Sequence, residues 1–142
     1  MDALSTTASI ISILQLSFDV LKYIIGATGA TKERRRLRQE ILACEYILLQ
    51  LQDHADNTDG STEWREKIEV LEDSNTPLYR LGVTLEAIKA KLEPKRGLDK
   101  ALSALKWPFD QKEVERLISA LQREKSLFQL ALTNECRYVS VF

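Results

Sequence analysis

An all-α fold, a four-helix bundle with short helices at its corners, is what this sequence predicts. Three observations lead there. Pro (3) and Gly (5) are few in 142 residues, so long regular elements are expected. Leu, Ala, Glu, Lys and Arg, the residues that favour helix, are plentiful. Apolar residues recur at alternating spacings of three and four along four separate stretches, and no alternating strand pattern or long repeat is visible. Four such stripes are hidden together in a four-helix bundle. The chain is long enough for one domain with a real core, expected over 1–136 with 137–142 as a short tail or the start of a linker.

The first helix is expected over 4–25. On a wheel at about 100° per residue, Leu4, Ile10, Ile11, Ile13, Leu14, Phe18, Val20, Leu21, Ile24 and Ile25 make an apolar arc wider than one neighbour would cover. Lys22, Gln15, Asp19, Ser12, Ser5 and Ser9 lie opposite. Two uses compete for such an arc: a central bundle helix contacted on two sides, or a helix that leaves the bundle for a bilayer. It is not an ordinary membrane span, because serines, threonines, Gln15, Asp19 and Lys22 interrupt the run of about 20 apolar residues a span needs. Nor does it read as a signal peptide, since Asp2 stands where a basic n-region belongs.

Gly26 and Gly29 break the first helix, and Thr31 is placed to cap the second. The break carries no phosphate-loop signature, which needs more glycine and a Lys-Ser/Thr pair. The second helix, about 32–54, has its seam at Leu37, Ile41, Cys44, Leu48 and Leu51. Its first turns hold Lys32, Arg34, Arg35, Arg36 and Arg38. Cations oppose the dipole at a helix start, so they are not expected to stabilise that helix. They read either as a solvated face paired with acids elsewhere or as a patch for anionic lipid headgroups or an acidic partner.

A polar connector leads to a short helix carrying Trp64, Ile68 and Leu71. Thr76-Pro77 then opens a helix with its seam at Leu78, Leu81, Leu85, Ile88 and Leu92. Another short helix holds Leu98, Leu102 and Leu105. Trp107 and Phe109 are expected to plug an end of the core, and Asp110 with Glu113 reads as a capping-box variant. The last helix carries Val114, Ile118, Leu121, Lys125, Phe128 and Leu132, with Lys125 snorkelling out of the seam.

The chemistry-bearing residues do not assemble into a catalytic set. The single His54 lies at a helix end, and Cys44 and Cys136 are far apart, so neither a zinc spacing nor a Ser-His-Asp set is found. Cys44 is expected to be a buried, inert thiol. Glu63, Glu66, Glu69, Glu72, Glu113, Glu115 and Glu124 are expected on exposed helix faces. The expectation is therefore no enzyme activity, no cofactor and no metal. A net charge of −1 argues against nucleic acid as a partner. Two cysteines without a disulfide framework point to a reducing, cytoplasmic setting.

Two segments carry a family resemblance. The opening Asp2-Ala3-Leu4-Ser5-x-x-Ala8-Ser9-Ile10-Ile11-x-x-Leu14-Gln15-Leu16-Ser17 and the late Ala104-Leu105-x-Trp107-Pro108-Phe109-Asp110-x-x-Glu113-Val114, continuing through Phe128 to Leu132, resemble the fungal N-terminal domain of STAND proteins, the Helo-like group. The basic run after the glycine break fits too. The resemblance implies a bundle in front of a nucleotide-binding oligomerisation module in an NLR-like receptor, related to the HeLo and other four-helix cell-death domains. It implies self-association on activation and a hydrophobic N-terminal segment acting on the plasma membrane, with anionic lipids as further partners. A non-lytic scaffold that binds like domains through a helix face is the alternative reading.

Overall fold

A computed structural model describes residues 3–57, 77–93 and 106–141, with side chains at 9–53, 77–93 and 106–132. Four helices account for them: α1 Ala3–Gly26, α2 Thr31–Asn57, α3 Pro77–Leu92 and α4 Gln111–Val141. The short helices expected around Trp64 and Leu102 lie outside the described residues, as does Thr76 before Pro77.

The helices form an all-α bundle in which α1 and α4 each pack against both α2 and α3. The pairs α1/α4 and α2/α3 therefore lie on the diagonals. Named contacts fix the directions. Arg36 pairs with Glu115, and Cys44 Sγ lies 3.7 Å from the Leu121 carbonyl, so α2 and α4 run parallel. Gly82 faces Ile13, and Lys89 faces Asp19, so α3 runs parallel to α1. Arg80 with Glu124 and Lys91 with Glu113 make α3 and α4 antiparallel.

The seams close as their spacing requires. Leu37, Ile41, Cys44, Leu48 and Leu51 of α2 are buried, as are Leu78, Leu81, Leu85, Ile88 and Leu92 of α3. Val114, Ile118, Leu121 and Phe128 of α4 meet them. Lys125 departs from expectation. Its side chain is only partly exposed, and its ammonium pairs with Glu40 Oε1 of α2 at 2.7 Å, because α2 presents that carboxylate at the same level of the bundle. Glu124 is a second correction. It is not on an exposed face but 1% exposed, held by Arg80 at 2.9 Å and Arg123 at 3.0 Å. A buried carboxylate without such partners would be costly enough to unfold the site.

One end of the bundle gathers the close of α1, the start of α2, the close of α3 and the start of α4. Trp107 and Phe109 plug it, edge to face with centroids 5.1 Å apart. The Trp107 amide donates to the Thr28 carbonyl at 2.8 Å and ties this plug to the α1–α2 connector. The expected capping box is present in both arms: the Glu113 amide donates to Asp110 Oδ1 at 2.8 Å, and Glu113 Oε1 accepts from the Asp110 amide at 3.4 Å.

Candidate functional site

The predicted residues of α1 divide into two sets. Ile10, Leu14, Val20, Leu21 and Ile24 are core, and Ile13 is half-buried against it. Ile11, Phe18 and Ile25 are 38%, 52% and 65% exposed. The side chain of Leu4 lies outside the described residues. Seating α1 between two neighbours consumes most of its apolar arc, and the remainder is a stripe of seven-residue spacing. Ser17, in the middle of the buried face, costs little because its hydroxyl donates to the Leu14 carbonyl at 2.7 Å.

The direction of that stripe follows from the helix wheel. Ile13 and Asp19 mark the side of α1 that meets α3. Ile11, Phe18 and Ile25 lie on the opposite flank, beyond Leu14 and Leu21, toward α2. On α2, Cys44 and Glu40 mark the side of α4, and Arg34 and Glu45 the side of α1. Past Glu45 come Leu42, Tyr46 and Leu49, all exposed. Both stripes therefore flank the α1–α2 seam on the outside of the bundle. The α2 stripe was not among the expected site residues. Its own four-and-three spacing beside the main seam was the signal.

The five expected cations have three different fates. Arg34 is turned inward. Its Nε donates to the Gly29 carbonyl at 2.7 Å, and its Nη1 donates to the carbonyls of Ala27 and, at 3.4 Å, Ile24. It caps the C-terminal end of α1, where carbonyls lack partners and the dipole favours a cation. Viewed from α2 alone the residue is unfavourable; viewed across the connector it stabilises the preceding helix. Arg36 pairs with Glu115 at 2.6 Å, which keeps that carboxyl below its ordinary range. Lys32, Arg35 and Arg38 are exposed and form no ion pair among the described residues.

Thr31 is not the cap of α2. The Arg34 amide donates to the Ala30 carbonyl at 2.9 Å, which puts Ala30 in the cap position. Gly29 and Ala30 both have positive φ, 87° and 45°. This tight reversal brings Ile24 and Ile25 beside Thr31, Arg34, Arg35 and Arg38. Together they line an open pocket of about 180 Å³. The pocket lies at the Ile25 end of the apolar stripe, so the outward face of α1 and α2 is greasy along its length and basic at one end.

Between the two stripes, under the surface, the Glu45 carboxyl lies beside Ser17. Burial raises its pKa, which the neighbouring hydroxyl partly offsets, and Oε2 has no hydrogen-bond partner among the described residues. Among the described residues no group of three or more His, Cys, Asp or Glu side chains is placed to hold a metal ion. By length and composition, Ser9–Gly26 can cross a membrane, a test that the buried core helix of a soluble bundle also passes. Comparison with protein-family models, curated proteins and solved structures gives no match.

Proposed function

We propose that this bundle is the N-terminal effector domain of a fungal NLR-like receptor, which induces regulated cell death by bringing its first helix to a membrane when it self-associates. The observation that carries the reading is the exposed stripe of Ile11, Phe18 and Ile25 running into the Arg35–Arg38 end of α2. The fold does not need these side chains, and their arrangement suits the boundary between acyl chains and anionic headgroups. Each basic residue near such a surface contributes on the order of 1 kcal/mol.

Docking and insertion are separate steps in this scheme. Withdrawing α1 exposes Ile10, Leu14, Val20, Leu21 and Ile24, each stabilising the fold by about 1.5–3 kcal/mol. That total rivals the ~5–15 kcal/mol that holds a whole domain together. The resting monomer therefore docks with α1 in place, and withdrawal is coupled to self-association, driven by the nucleotide-binding module expected in cis.

Dye release from anionic vesicles tests this, with monomer compared against an artificially clustered form. Clustered wild type is expected to release dye, and clustered Ile11→Gln/Phe18→Gln is not. Equal release by both would reject the proposal. The scaffold alternative draws on Leu42, Tyr46 and Leu49, which widen the apolar face across two helices as a partner helix would require. A defined protein complex that forms without lipid, and no vesicle binding in any state, would favour it.

A further inference from the structure

We propose that the pocket between the end of α1 and the start of α2 binds a single phosphate monoester, with the Arg35 and Arg38 guanidinium groups on the phosphate and Ile24 and Ile25 against the apolar body it is attached to. This rests on the membrane-docking reading for the source of the phosphate, a lipid headgroup, but not for the chemistry of the pocket.

Size and lining select the ligand. At about 180 Å³ the open pocket is smaller than the ~300–1,000 Å³ of sites for drug-sized molecules, a size that suits a headgroup fragment. Three arginines and Thr31 line it with the two isoleucines, and no carboxylate does. Arg38 lies four residues after Arg34 and three after Arg35, so it neighbours both on the surface of α2. Arg34 is already committed to the carbonyls of Ile24, Ala27 and Gly29, which hold it in place. Arg35 and Arg38 have no ion pair among the described residues, and the planar guanidinium fork matches phosphate oxygens.

Two uncompensated cations also set the charge of the guest. A phosphate monoester carries about −1.5 to −2 near neutral pH. The diester of an ordinary phospholipid backbone carries one negative charge. The pocket thus favours the monoester beyond what surface potential alone provides.

Co-sedimentation with phosphatidylcholine vesicles doped with phosphatidic acid, or with phosphatidylserine at matched surface potential, measures this preference. Free glycerol 3-phosphate is titrated in parallel, followed by NMR shifts at residues 31–38. Wild type is expected to favour phosphatidic acid by about tenfold, an effect of the size of one charge-assisted hydrogen bond. Arg35→Gln/Arg38→Gln is expected to lose that preference. Lys112→Gln/Arg116→Gln, which removes the same charge from the exposed start of α4, is expected to keep it. Equal binding to both vesicles, with no glycerol 3-phosphate shifts, would overturn the pocket and leave membrane docking standing. Glycerol 3-phosphate shifts without binding to any vesicle would uphold the pocket's chemistry and overturn the lipid source. Silence in both arms would remove both.

Discussion

Arg34 and Ile24 belong to different helices, and the Nη1 of the first donates to the carbonyl of the second at 3.4 Å. With the bonds to Ala27 and Gly29, this makes the first cation-rich turn of α2 a cap for α1. Removing the guanidinium leaves the Ala27 and Gly29 carbonyls to find water, while the Ile24 carbonyl keeps the Ala27 amide at 3.3 Å.

Arg34→Ala is accordingly expected to cost about 1–2 kcal/mol, at the upper end for a cation at a helix C-terminus because the site is partly buried. Calorimetry is expected to show a Tm lower by several degrees. Hydrogen exchange is expected to quicken most in the last turn of α1. Arg34→Lys is expected to recover only part of the loss, since an ammonium cannot span three acceptors. An unchanged Tm and unchanged exchange for Arg34→Ala would refute the capping role.

The buried carboxylate of Glu124 gives a prediction with two arms. Arg80→Ala leaves that charge with Arg123 alone, and is expected to cost about 2–4 kcal/mol, somewhat under the ~3–5 kcal/mol typical of a fully broken buried pair. Arg80→Leu combined with Glu124→Leu is expected to cost less than Arg80→Ala. Urea melts of the three variants decide it; a double variant that is the least stable of them would contradict the account.

Two carboxyls shape stability against pH in opposite directions. Burial raises the Glu45 pKa above 4.5, so its favourable contribution is complete below that value and is lost as pH rises through the folded-state pKa. Glu45→Gln is expected to be more stable than wild type at pH 7, and the gain is expected to shrink as the medium is acidified. The Glu113 backbone amide lowers the Asp110 pKa below 3.8. Its contribution is therefore present above that value and lost as pH falls through the folded-state pKa. Asp110→Asn is expected to flatten the acid limb and leave the neutral plateau nearly level.

The Cys44 thiol is pushed up to about 12, chiefly by burial. In a Cys136→Ser background it is expected to react with a disulfide reagent at pH 8 only as fast as the bundle opens. Rapid labelling of the native protein would show that the α2–α4 seam breathes.

The seams were readable because spacing of three and four is set by helix geometry, and nothing in the tertiary structure competes with it at Leu81, Leu85 or Leu121. What spacing cannot supply is which neighbour stands on which side. The wheel for α1 centres its apolar arc near Leu14 and Leu21, yet the core is turned toward the flank around Ser17 and leaves Phe18 outside. The capping role of Arg34 is hidden for the same reason: along the chain it begins a helix, and only the reversal at Gly29 and Ala30 brings it to the end of another. Glu124 resembled its exposed neighbours because its partner Arg80 is 44 residues away. The basic cluster and Ile11, Phe18 and Ile25 were legible as candidates. Their convergence on one pocket and one outward face was not, because it depends on the path of the connector.

That connector also constrains how the protein can move. Ala30 keeps φ at 45°, a conformation that a residue with a Cβ adopts at a cost of about 1–2 kcal/mol and glycine adopts almost freely. The hairpin is thus mildly spring-loaded at its elbow and restrained there by one arginine and one backbone link to Trp107. Any force that swings α1 outward must first break those restraints. Glycine at position 30 would slacken the spring without touching the core.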